Sequence, residues 1–408
     1  MKKKLLKELA KLAIHTGVNI QKGQILVINA PVFTYEFVAL CVKEAYLKGA
    51  KDVIVNYQDE VLGNLFYKFV KEDMLIDVPE YVVSKFDYYV ENKIAALHII
   101  SPLLDINKNI DPSKMAKRSK SLGEKTKVYR KYMMSGEGQW SIIALPNQVW
   151  ADKVFPNLPK RQRVNALGEA ILKASRVDDK SISNWVVHNQ LLHAVNKKLN
   201  DYQFDALHFR NSLGTDIIIG LADEHIWSGG ADKTSKGILF NPNIPTEESF
   251  TMPHKLRVNG KVVGTMPLDH YGKLIEDFYF VFQDGKVVDF DAKKNKDVLA
   301  SVFSIDEGAS YIGEVALIPH DSPISKSGIL YYNTLFDENA SCHLALGEAY
   351  PTTTKNGANL TEDELLKRGF NKSIVHIDFM FGSSCMEIYG IKAGQGNVQI
   401  FKNGNYCI

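Results

Sequence analysis

Four side chains of the types that bind hard or borderline metal ions fall between residues 311 and 381: Glu314, His343, His376 and Asp378. Residues 373–381 alternate with a period of two, as apolar and β-branched residues do in a strand, and this period predicts His376 and Asp378 on one face. An imidazole and a carboxylate on one face of a strand can bind the same ion. This stretch therefore predicts a metal-dependent reaction centre that the rest of the chain must position.

A predicted helix brings another imidazole and a phenol together. Residues 335–350 have the composition of a helix, in which a separation of seven returns Tyr350 to the face that carries His343. A metal ligand and a hydrogen-bond donor would then point in the same direction.

Carboxylates from two further segments complete the set of candidate residues. Glu314 is the only strongly polar residue in the short apolar run 313–317, and Glu247 and Glu248 are neighbours in the loop-flanked segment 245–253. Hydrolysis with a pair of divalent ions needs such a set, because bridging carboxylates hold two cations close together while imidazoles and other carboxylates complete each coordination shell.

Each of these residues also has a purely structural explanation. A lone histidine is more often a satisfied core or surface residue than a ligand, a His-x-Asp pair on a strand can simply be hydrogen-bonded, and a tyrosine is usually a core residue. Further histidines are rival ligands, which we interpret as structural or supporting residues: His225, His254, His270 and His320. Spacing alone therefore leaves the site open.

Four sequence blocks carry a resemblance to a known family. They are NIPTEESFT at 243–251, DEGA at 306–309 followed by GE at 313–314, NTLFDENA at 333–340 followed by His343, and HIDFMFGS at 376–383. Their order and spacing resemble the signature blocks of the thermophilic metalloprotease family, the dinuclear aminopeptidases of the aminopeptidase S and aminopeptidase T type. The resemblance extends over most of the chain and is looser in the first half.

The resemblance implies an activity, an assembly and a set of site residues. It implies a dinuclear metal-dependent aminopeptidase, which is a hydrolase and an exopeptidase, and a homodimer. Carried over position by position, it implies that Tyr350 helps catalysis and that five residues bind two divalent ions per chain: Glu248, Glu314, His343, His376 and Asp378. Zinc, cobalt, manganese and magnesium all suit a site rich in oxygen and nitrogen ligands. The choice of Glu248 over Glu247 rests on this resemblance alone.

Three functions compete for these residues. In the first, a metallo-aminopeptidase removes the N-terminal residue of a peptide with water activated by two metal ions, Glu247 accepts the proton of the water and Tyr350 donates a hydrogen bond to the carbonyl oxygen. In the second, His343, His376 and Asp378 alone form the ligand set of a mononuclear 2-His-1-carboxylate iron oxygenase, which leaves the glutamates without a role. In the third, the protein is a non-catalytic metal-binding scaffold. The complete ligand set favours the first function.

Length and composition are those of a soluble globular protein with two domains. The chain has 408 residues, of which 45% are hydrophobic and 24% are charged. Its formal net charge of +2 gives no reason to expect nucleic acid or an acidic membrane as a partner, and no apolar run is long enough to span a bilayer. The expected partners, peptides with a free N-terminus, follow from the family resemblance and not from the composition.

The N-terminal segment and the cysteines favour a cytoplasmic location. Residues 1–8 are basic, but Lys7, Glu8 and Lys11 interrupt the apolar core that a signal peptide needs. Four scattered cysteines without a Cys-x-x-Cys motif suit a reducing compartment: Cys41, Cys342, Cys385 and Cys407.

The hydrophobic pattern of residues 1–200 predicts a doubly wound, Rossmann-like α/β domain. Buried-strand runs at 24–30, 52–57, 95–100 and 140–145 alternate with helical segments at the spacing of parallel crossover units. No Gly-x-Gly-x-x-Gly motif follows any of these runs, so we expect a wall or lid with possible dimer contacts rather than a dinucleotide site.

Residues 201–408 are predicted to form a mixed or antiparallel β-rich domain that carries the metal site. Short strand-like runs recur there, and Asn259-Gly260 and Asp284-Gly285 between them are typical turn sequences. The chain is therefore expected to combine an α/β domain with an α+β domain, divided near residue 200.

Overall fold

The computed structural model describes residues 2–134, 136–270 and 273–408. Its strands are β1 (Ile25–Pro31), β2 (Asp52–Gln58), β3 (Ala95–Ile100), β4 (Trp140–Ala144), β5 (Ala206–Arg210), β6 (Asp216–Leu221), β7 (Asp232–Lys233), β8 (Leu239–Phe240), β9 (Ser249–Thr251), β10 (Pro253–Val263), β11 (Leu268–His270), β12 (Lys273–Gln283), β13 (Lys286–Lys294), β14 (Ile312–Leu317), β15 (His343–Gly347), β16 (His376–Met380), β17 (Glu387–Ile391), β18 (Val398–Lys402) and β19 (Asn405–Tyr406).

The α-helices are α1 (Lys3–Leu12), α2 (Tyr35–Leu47), α3 (Glu60–Phe69), α4 (Glu80–Glu91), α5 (Pro112–Lys125), α6 (Lys127–Met134), α7 (Gln148–Val154), α8 (Lys160–Ala174), α9 (Ser181–Tyr202), α10 (Lys296–Phe303), α11 (Pro323–Ser327), α12 (Thr334–Asp337) and α13 (Glu362–Lys367). Among these described helices, none combines the length and apolar character that crossing a membrane requires.

The chain folds into two compact units, each with its own hydrophobic core. The first unit consists of Met1–Val187 and Ala231–Pro245, and the second consists of His188–Gly230 and Thr246–Ile408. The domain boundary near residue 200 stays a prediction.

A parallel sheet with the strand order β2-β1-β3-β4 organises the first unit. Leu26 and Ile28 of β1 belong to one core cluster with residues of α1 and α2, while Ile25 and Val27 pack with Tyr89 of α4 in another. Successive residues of a strand point to opposite faces, so helices cover both faces of this sheet. The predicted doubly wound α/β architecture is confirmed.

Two antiparallel sheets organise the second unit. The larger has the order β11-β12-β10-β6-β5-β17-β18-β19, with β13 paired to β12, and the smaller has the order β16-β15-β14-β9. Phe280 of β12 and Phe379 of β16 meet edge to face with ring centroids 5.0 Å apart, inside the core cluster of this unit. The large sheet therefore supports the small one through buried aromatic contacts.

The predicted helix over residues 335–350 is wrong. Helix α12 ends at Asp337, a 3-10 turn follows at Glu338–Ala340, and His343–Gly347 forms the strand β15. Helix formers fill the middle of this segment, but β15 pairs with β14 on one side and β16 on the other and is buried throughout. Central strand pairing and burial outweigh a weak local preference for helix.

The predicted turn at Asn259-Gly260 is also wrong, whereas the hairpin at Asp284-Gly285 between β12 and β13 is confirmed. Gly260 lies inside β10 and pairs with strands on both sides. Its φ is 125°, and a Cβ there would lie 2.3 Å from the carbonyl oxygen of Asp216. The glycine permits a close approach of two strands rather than a reversal of the chain.

Candidate metal centre

Three neighbouring strands place two acidic side chains on one row of the small sheet. Glu314 of β14 lies opposite Ala345 of β15, and Ala345 lies opposite Asp378 of β16. Residues directly opposite one another across strands share a face of the sheet. The small side chain of Ala345 therefore separates the two carboxylates without filling the space above them.

His343 and His376 lie on the face of the small sheet that carries Glu314 and Asp378, each two residues along its strand from the row that these carboxylates form. His343 precedes Ala345 by two residues on β15, and His376 precedes Asp378 by two residues on β16. A period of two keeps each histidine on the face of the residue two positions later. The predicted pairing of His376 with Asp378 on one strand face is thus present, and His343 reaches this face from a strand instead of a helix.

The candidate ligands form two groups that share Glu314. Glu248, Glu314 and His343 form one group and Glu314, His376 and Asp378 the other, with the ligand atoms of each group within 4.8 Å of one another. In the first group, His343 Nε2 lies 3.2 Å from Glu314 Oε1 and 3.7 Å from Glu248 Oε2. In the second, His376 Nε2 lies 3.8 Å from Glu314 Oε2 and 3.3 Å from Asp378 Oδ1.

Backbone carbonyl groups orient both imidazoles. His343 Nδ1 donates to the carbonyl oxygen of Glu338 at 2.8 Å, and His376 Nδ1 donates to that of Glu348 at 2.7 Å. Each bond leaves the lone pair of a neutral imidazole on Nε2, the atom that faces the carboxylates. Ligating histidines in proteins are commonly held in this way by their second nitrogen.

The buried carboxylates stabilise positive charge beside them, whether on a protonated imidazole or on a bound cation. Burial opposes protonation of His343 and of His376, but their acidic neighbours, Glu314 and Asp378 among them, outweigh burial and raise the pKa of each imidazole to about 9. Burial and the charges of Glu314 and Asp378 raise the pKa of Glu248 to about 7. Protons or cations can supply the missing charge, and divalent cations supply more of it per site.

One unsatisfied atom supports a cation in the second group. Asp378 Oδ1 is buried and accepts no hydrogen bond of normal geometry from any residue that the structure describes, although it lies close to His376 Nε2. A buried carboxylate oxygen without a donor is costly unless a cation compensates it. The donor set of imidazole nitrogens and carboxylate oxygens therefore fits divalent metal ions.

The two predicted catalytic residues, Tyr350 and Glu247, lie outside the two groups of candidate ligands. The Tyr350 ring lies beside the cluster, with its centroid 4.8 Å from that of His376. Glu247 is buried, its N–H donates to Asn339 Oδ1 at 2.7 Å, and its Oε2 lies 3.9 Å from His188 Nε2. Within the described ranges Glu247 belongs to neither group of candidate ligands. Its role as proton acceptor and that of Tyr350 as hydrogen-bond donor stay predictions.

Supporting residues that the sequence did not single out lie around the cluster. Glu338 orients His343 through its carbonyl group, and burial together with the charges of Glu248, Asp378 and Glu314 raises the pKa of its own carboxyl well above the usual range. Asp306 accepts hydrogen bonds from the backbone of Ile374 and the hydroxyl of Ser373, just before β16. Both acidic residues lie in the sequence blocks quoted above, which is the signal that could have identified them.

The rival histidines are not part of the cluster. Among the described residues, neither group of candidate ligands includes any of them, namely His225, His254, His270 and His320. His225 is buried and its Nδ1 bonds to the carbonyl oxygen of Ala222 at 3.1 Å. Cys342 also packs instead of facing the cluster, with its Sγ 3.4 Å from both the nitrogen and the oxygen of Ile318.

Comparison with known proteins extends over the whole chain. The model of the thermophilic metalloprotease family (M29) matches residues 2–406. Aminopeptidase AmpS of Bacillus subtilis (strain 168) is 42% identical over 399 residues, which are 98% of this chain and 97% of the relative. Aminopeptidase 2 of Geobacillus stearothermophilus is 42% identical over 405 residues, which are 99% of this chain and 98% of the relative. Aminopeptidase T of Thermus aquaticus is 36% identical over 404 residues, which are likewise 99% of this chain and 98% of the relative.

Two solved structures resemble this fold. Wild-type AmpT from Thermus thermophilus superimposes with a TM-score of 0.92 and 36% identity, covering 100% of both chains. A 2,5-dihydroxypyridine dioxygenase from Pseudomonas putida KT2440 has a TM-score of 0.51 and 10% identity, with 99% of this chain and 96% of the other covered. At this identity the second similarity concerns the fold alone.

Proposed function

Because the chain belongs to the thermophilic metalloprotease family, we propose that its residues on β14, β15 and β16 and before β9 hold two divalent metal ions that serve peptide hydrolysis. The protein is a metal-dependent aminopeptidase, that is, a hydrolase of the exopeptidase type. The observation that carries the two-ion proposal is the division of the candidate ligands into two groups that share one carboxylate, Glu314.

We assign the ligands by group. Glu248 and His343 would hold one ion, His376 and Asp378 would hold the other, and Glu314 would contribute to both groups. When bound, the ions would supply an activated water and positive charge for the carbonyl oxygen of the substrate. Zinc, cobalt, manganese and magnesium are the candidate metals, because carboxylate and imidazole ligands accept each of them.

The residues beside the ligands would handle protons and orient the substrate. Partial burial and the charges of Glu314 and Asp378 raise the pKa of the Tyr350 phenol, so it stays protonated at neutral pH and can donate to the carbonyl oxygen. Glu247 is our candidate for accepting a proton from the attacking water and returning it to the leaving amine. A free α-amine would suit the acidic surroundings of the site, which explains a preference for peptides with an unblocked N-terminus.

The proposal predicts two measurable properties. The purified protein should contain close to two divalent ions per chain, and chelation should abolish hydrolysis until divalent ions are restored. Peptides with a free N-terminus should release one residue at a time, whereas the same peptides with an N-acetyl group should not react. Elemental analysis and amino-acid release from matched peptide pairs measure both properties.

Other outcomes would contradict specific parts of the proposal. One iron per chain with oxygen-dependent turnover would favour the mononuclear oxygenase. Equal cleavage of free and acetylated peptides would contradict recognition of the amine. A full metal complement without hydrolysis of any peptide would leave a metal-binding scaffold.

We also propose that the active protein is a cytoplasmic homodimer. All four cysteines are free, which agrees with a reducing compartment. Light scattering of active samples should give twice the mass of one chain, which is 45.8 kDa. A mass of one chain in fully active samples would contradict the dimer while leaving the catalytic proposal intact.

A further inference from the structure

Two buried side chains hold the peptide group between Thr246 and Glu247. His188 Nε2 lies 2.7 Å from the carbonyl oxygen of Thr246, and because a carbonyl oxygen only accepts hydrogen bonds, this ring nitrogen carries the hydrogen and donates. The N–H of Glu247 donates to Asn339 Oδ1 at 2.7 Å. The oxygen and the hydrogen of one peptide group are therefore each held by a side chain. We call His188 and Asn339 the peptide clamp.

Burial makes both bonds of the peptide clamp costly to break. His188 and Asn339 are buried, and so are Thr246 and Glu247. The Asn339 amide is fixed in turn, because its Nδ2 donates to the carbonyl oxygen of Leu335 at 3.2 Å. A buried backbone group that loses its partner costs free energy, because water does not replace the lost hydrogen bond. The clamp therefore restrains the plane of the peptide group that leads into Glu247.

The main chain after Glu247 is held by different contacts. Strand β9 begins at Ser249 and pairs with β14. The backbone of Phe250 also exchanges two hydrogen bonds with that of Ser228, each at 2.9 Å. These contacts fix the chain on the far side of the candidate ligand Glu248, whereas the clamp acts on the peptide group before Glu247. We therefore expect the clamp to affect Glu247 more than the metal ligand that follows it.

The turn that supplies Asn339 also contacts the candidate metal ligands. Glu338 and Asn339 are neighbours in the 3-10 turn that follows α12. The carbonyl oxygen of Glu338 accepts the hydrogen bond from His343 Nδ1, and the Asn339 side chain accepts that from the Glu247 N–H. One short segment thus holds both a candidate ligand and the candidate proton acceptor, so the spacing between them depends on this turn.

We propose that His188 and Asn339 are positioning residues, which hold Glu247 where it can accept a proton from the attacking water. His188 Nε2 also lies 3.9 Å from Glu247 Oε2, so the ring that holds the peptide group lies close to the carboxylate as well. Misplacing a reacting group by about 1 Å can lower the rate about 10²-fold. This inference rests on the two-ion hydrolysis and on the role of Glu247 proposed above.

The test removes the donor of His188 and then restores it. His188→Leu should lower kcat about 10²-fold, change KM less than about threefold and keep the metal content of the wild type, because proton transfer is impaired while substrate and metal binding are not. His188→Gln should return kcat to within about threefold of the wild-type value, because the glutamine amide offers an N–H donor at a reach similar to that of Nε2. Steady-state kinetics and elemental analysis on one preparation of each protein measure these quantities.

Substitution of both clamp residues tests whether they act on one peptide group. Asn339→Leu should lower kcat by a similar factor, since it removes the acceptor of the Glu247 N–H. The double variant His188→Leu with Asn339→Leu should lower kcat by less than the product of the two single effects, because the second substitution acts on a peptide group that is already released. If the two effects multiply instead, the side chains act independently, which would overturn the shared clamp.

A matched control and a fold check accompany these variants. Tyr132→Phe removes a comparable buried bond in the first unit, where the Tyr132 hydroxyl donates to the carbonyl oxygen of Ile94 at 2.9 Å, and it should keep the kcat of the wild type. Circular dichroism and thermal unfolding show whether each variant is folded. If His188→Leu is unfolded, His188→Asn replaces it, because the asparagine amide is one methylene group shorter than that of glutamine and does not reach Thr246.

Glu247→Gln, measured beside these variants, separates failure of the clamp from failure of the proposed reaction. Loss of kcat in Glu247→Gln together with wild-type kcat in folded His188→Leu would overturn the clamp alone. An equal loss in Tyr132→Phe, or no recovery in His188→Gln, would overturn it too, because the defect would then be a general one. Loss of metal from His188→Leu would place its effect at the ligands instead of Glu247. Normal kcat in Glu247→Gln would contradict the role of Glu247 itself.

Discussion

Glu314→Gln is expected to lower the metal content to one ion per chain or fewer and to reduce peptide hydrolysis about 10³-fold or more. Glu314 is shared by the two groups of candidate ligands, and its oxygens lie 3.2 Å from His343 Nε2 and 3.8 Å from His376 Nε2. Glutamine keeps the size of the side chain but removes the negative charge that would compensate the two proposed cations. A metal ion supplies several kcal/mol of transition-state stabilisation, and each 1.36 kcal/mol changes the rate tenfold.

The experiment requires elemental analysis and kcat/KM from one preparation of each protein. Glu276→Gln is the matched control, because Glu276 lies on the surface of β12 and pairs with Lys294 at 2.9 Å. The control should keep both the metal content and the activity of the wild type. Normal turnover together with a full metal complement in Glu314→Gln would show that Glu314 does not bridge the ions.

The sequence predicted the His376 and Asp378 pair correctly because the cause is local. A period of two along a single strand is sufficient to place both side chains on one face. His343 could not be placed in this way. Its strand consists of residues that also form helices, and only pairing with β14 and β16, which are distant in sequence, decides its conformation. The sequence predicted His343 on a helix instead of a strand. His343 was nevertheless expected to lie near the other candidate ligands, as it does in the structure.

The two units differ in how much of their fold could be predicted. The strands of the first unit are buried on both faces and appear in the sequence as continuous apolar runs between helices, which is a strong local signal. In the second unit, the length of β10 depends on close contact of Gly260 with β6, so a typical turn sequence lies within a strand. The block at 333–340 could have drawn attention to Glu338, but not to the hydrogen bond that its backbone carbonyl accepts from His343, since any residue type can supply a carbonyl oxygen.

Tyr350→Phe is expected to keep both metal ions and the fold but to lower kcat about 10²-fold, as for removal of one donor to a developing oxyanion. The Tyr350 ring packs against His376, with centroids 4.8 Å apart, and against Phe250, with centroids 6.4 Å apart. Phenylalanine preserves both ring contacts and removes only the hydroxyl group. At 36% exposure the side chain is also accessible to a substrate. KM should change much less than kcat, because the lost interaction forms mainly in the transition state.

Metal content, kcat and KM of Tyr350→Phe, measured beside Glu314→Gln, distinguish the possible roles of the phenol. Tyr279→Phe serves as the control, because Tyr279 lies on β12 and bonds to Asp289 at 3.0 Å on the surface. Near-normal kcat for Tyr350→Phe would mean that Tyr350 only packs beside His376. Loss of metal similar to that of Glu314→Gln would make the phenol a ligand or a support for one. Only loss of turnover with both ions retained agrees with donation to the substrate, since that interaction is needed after the metal site is complete.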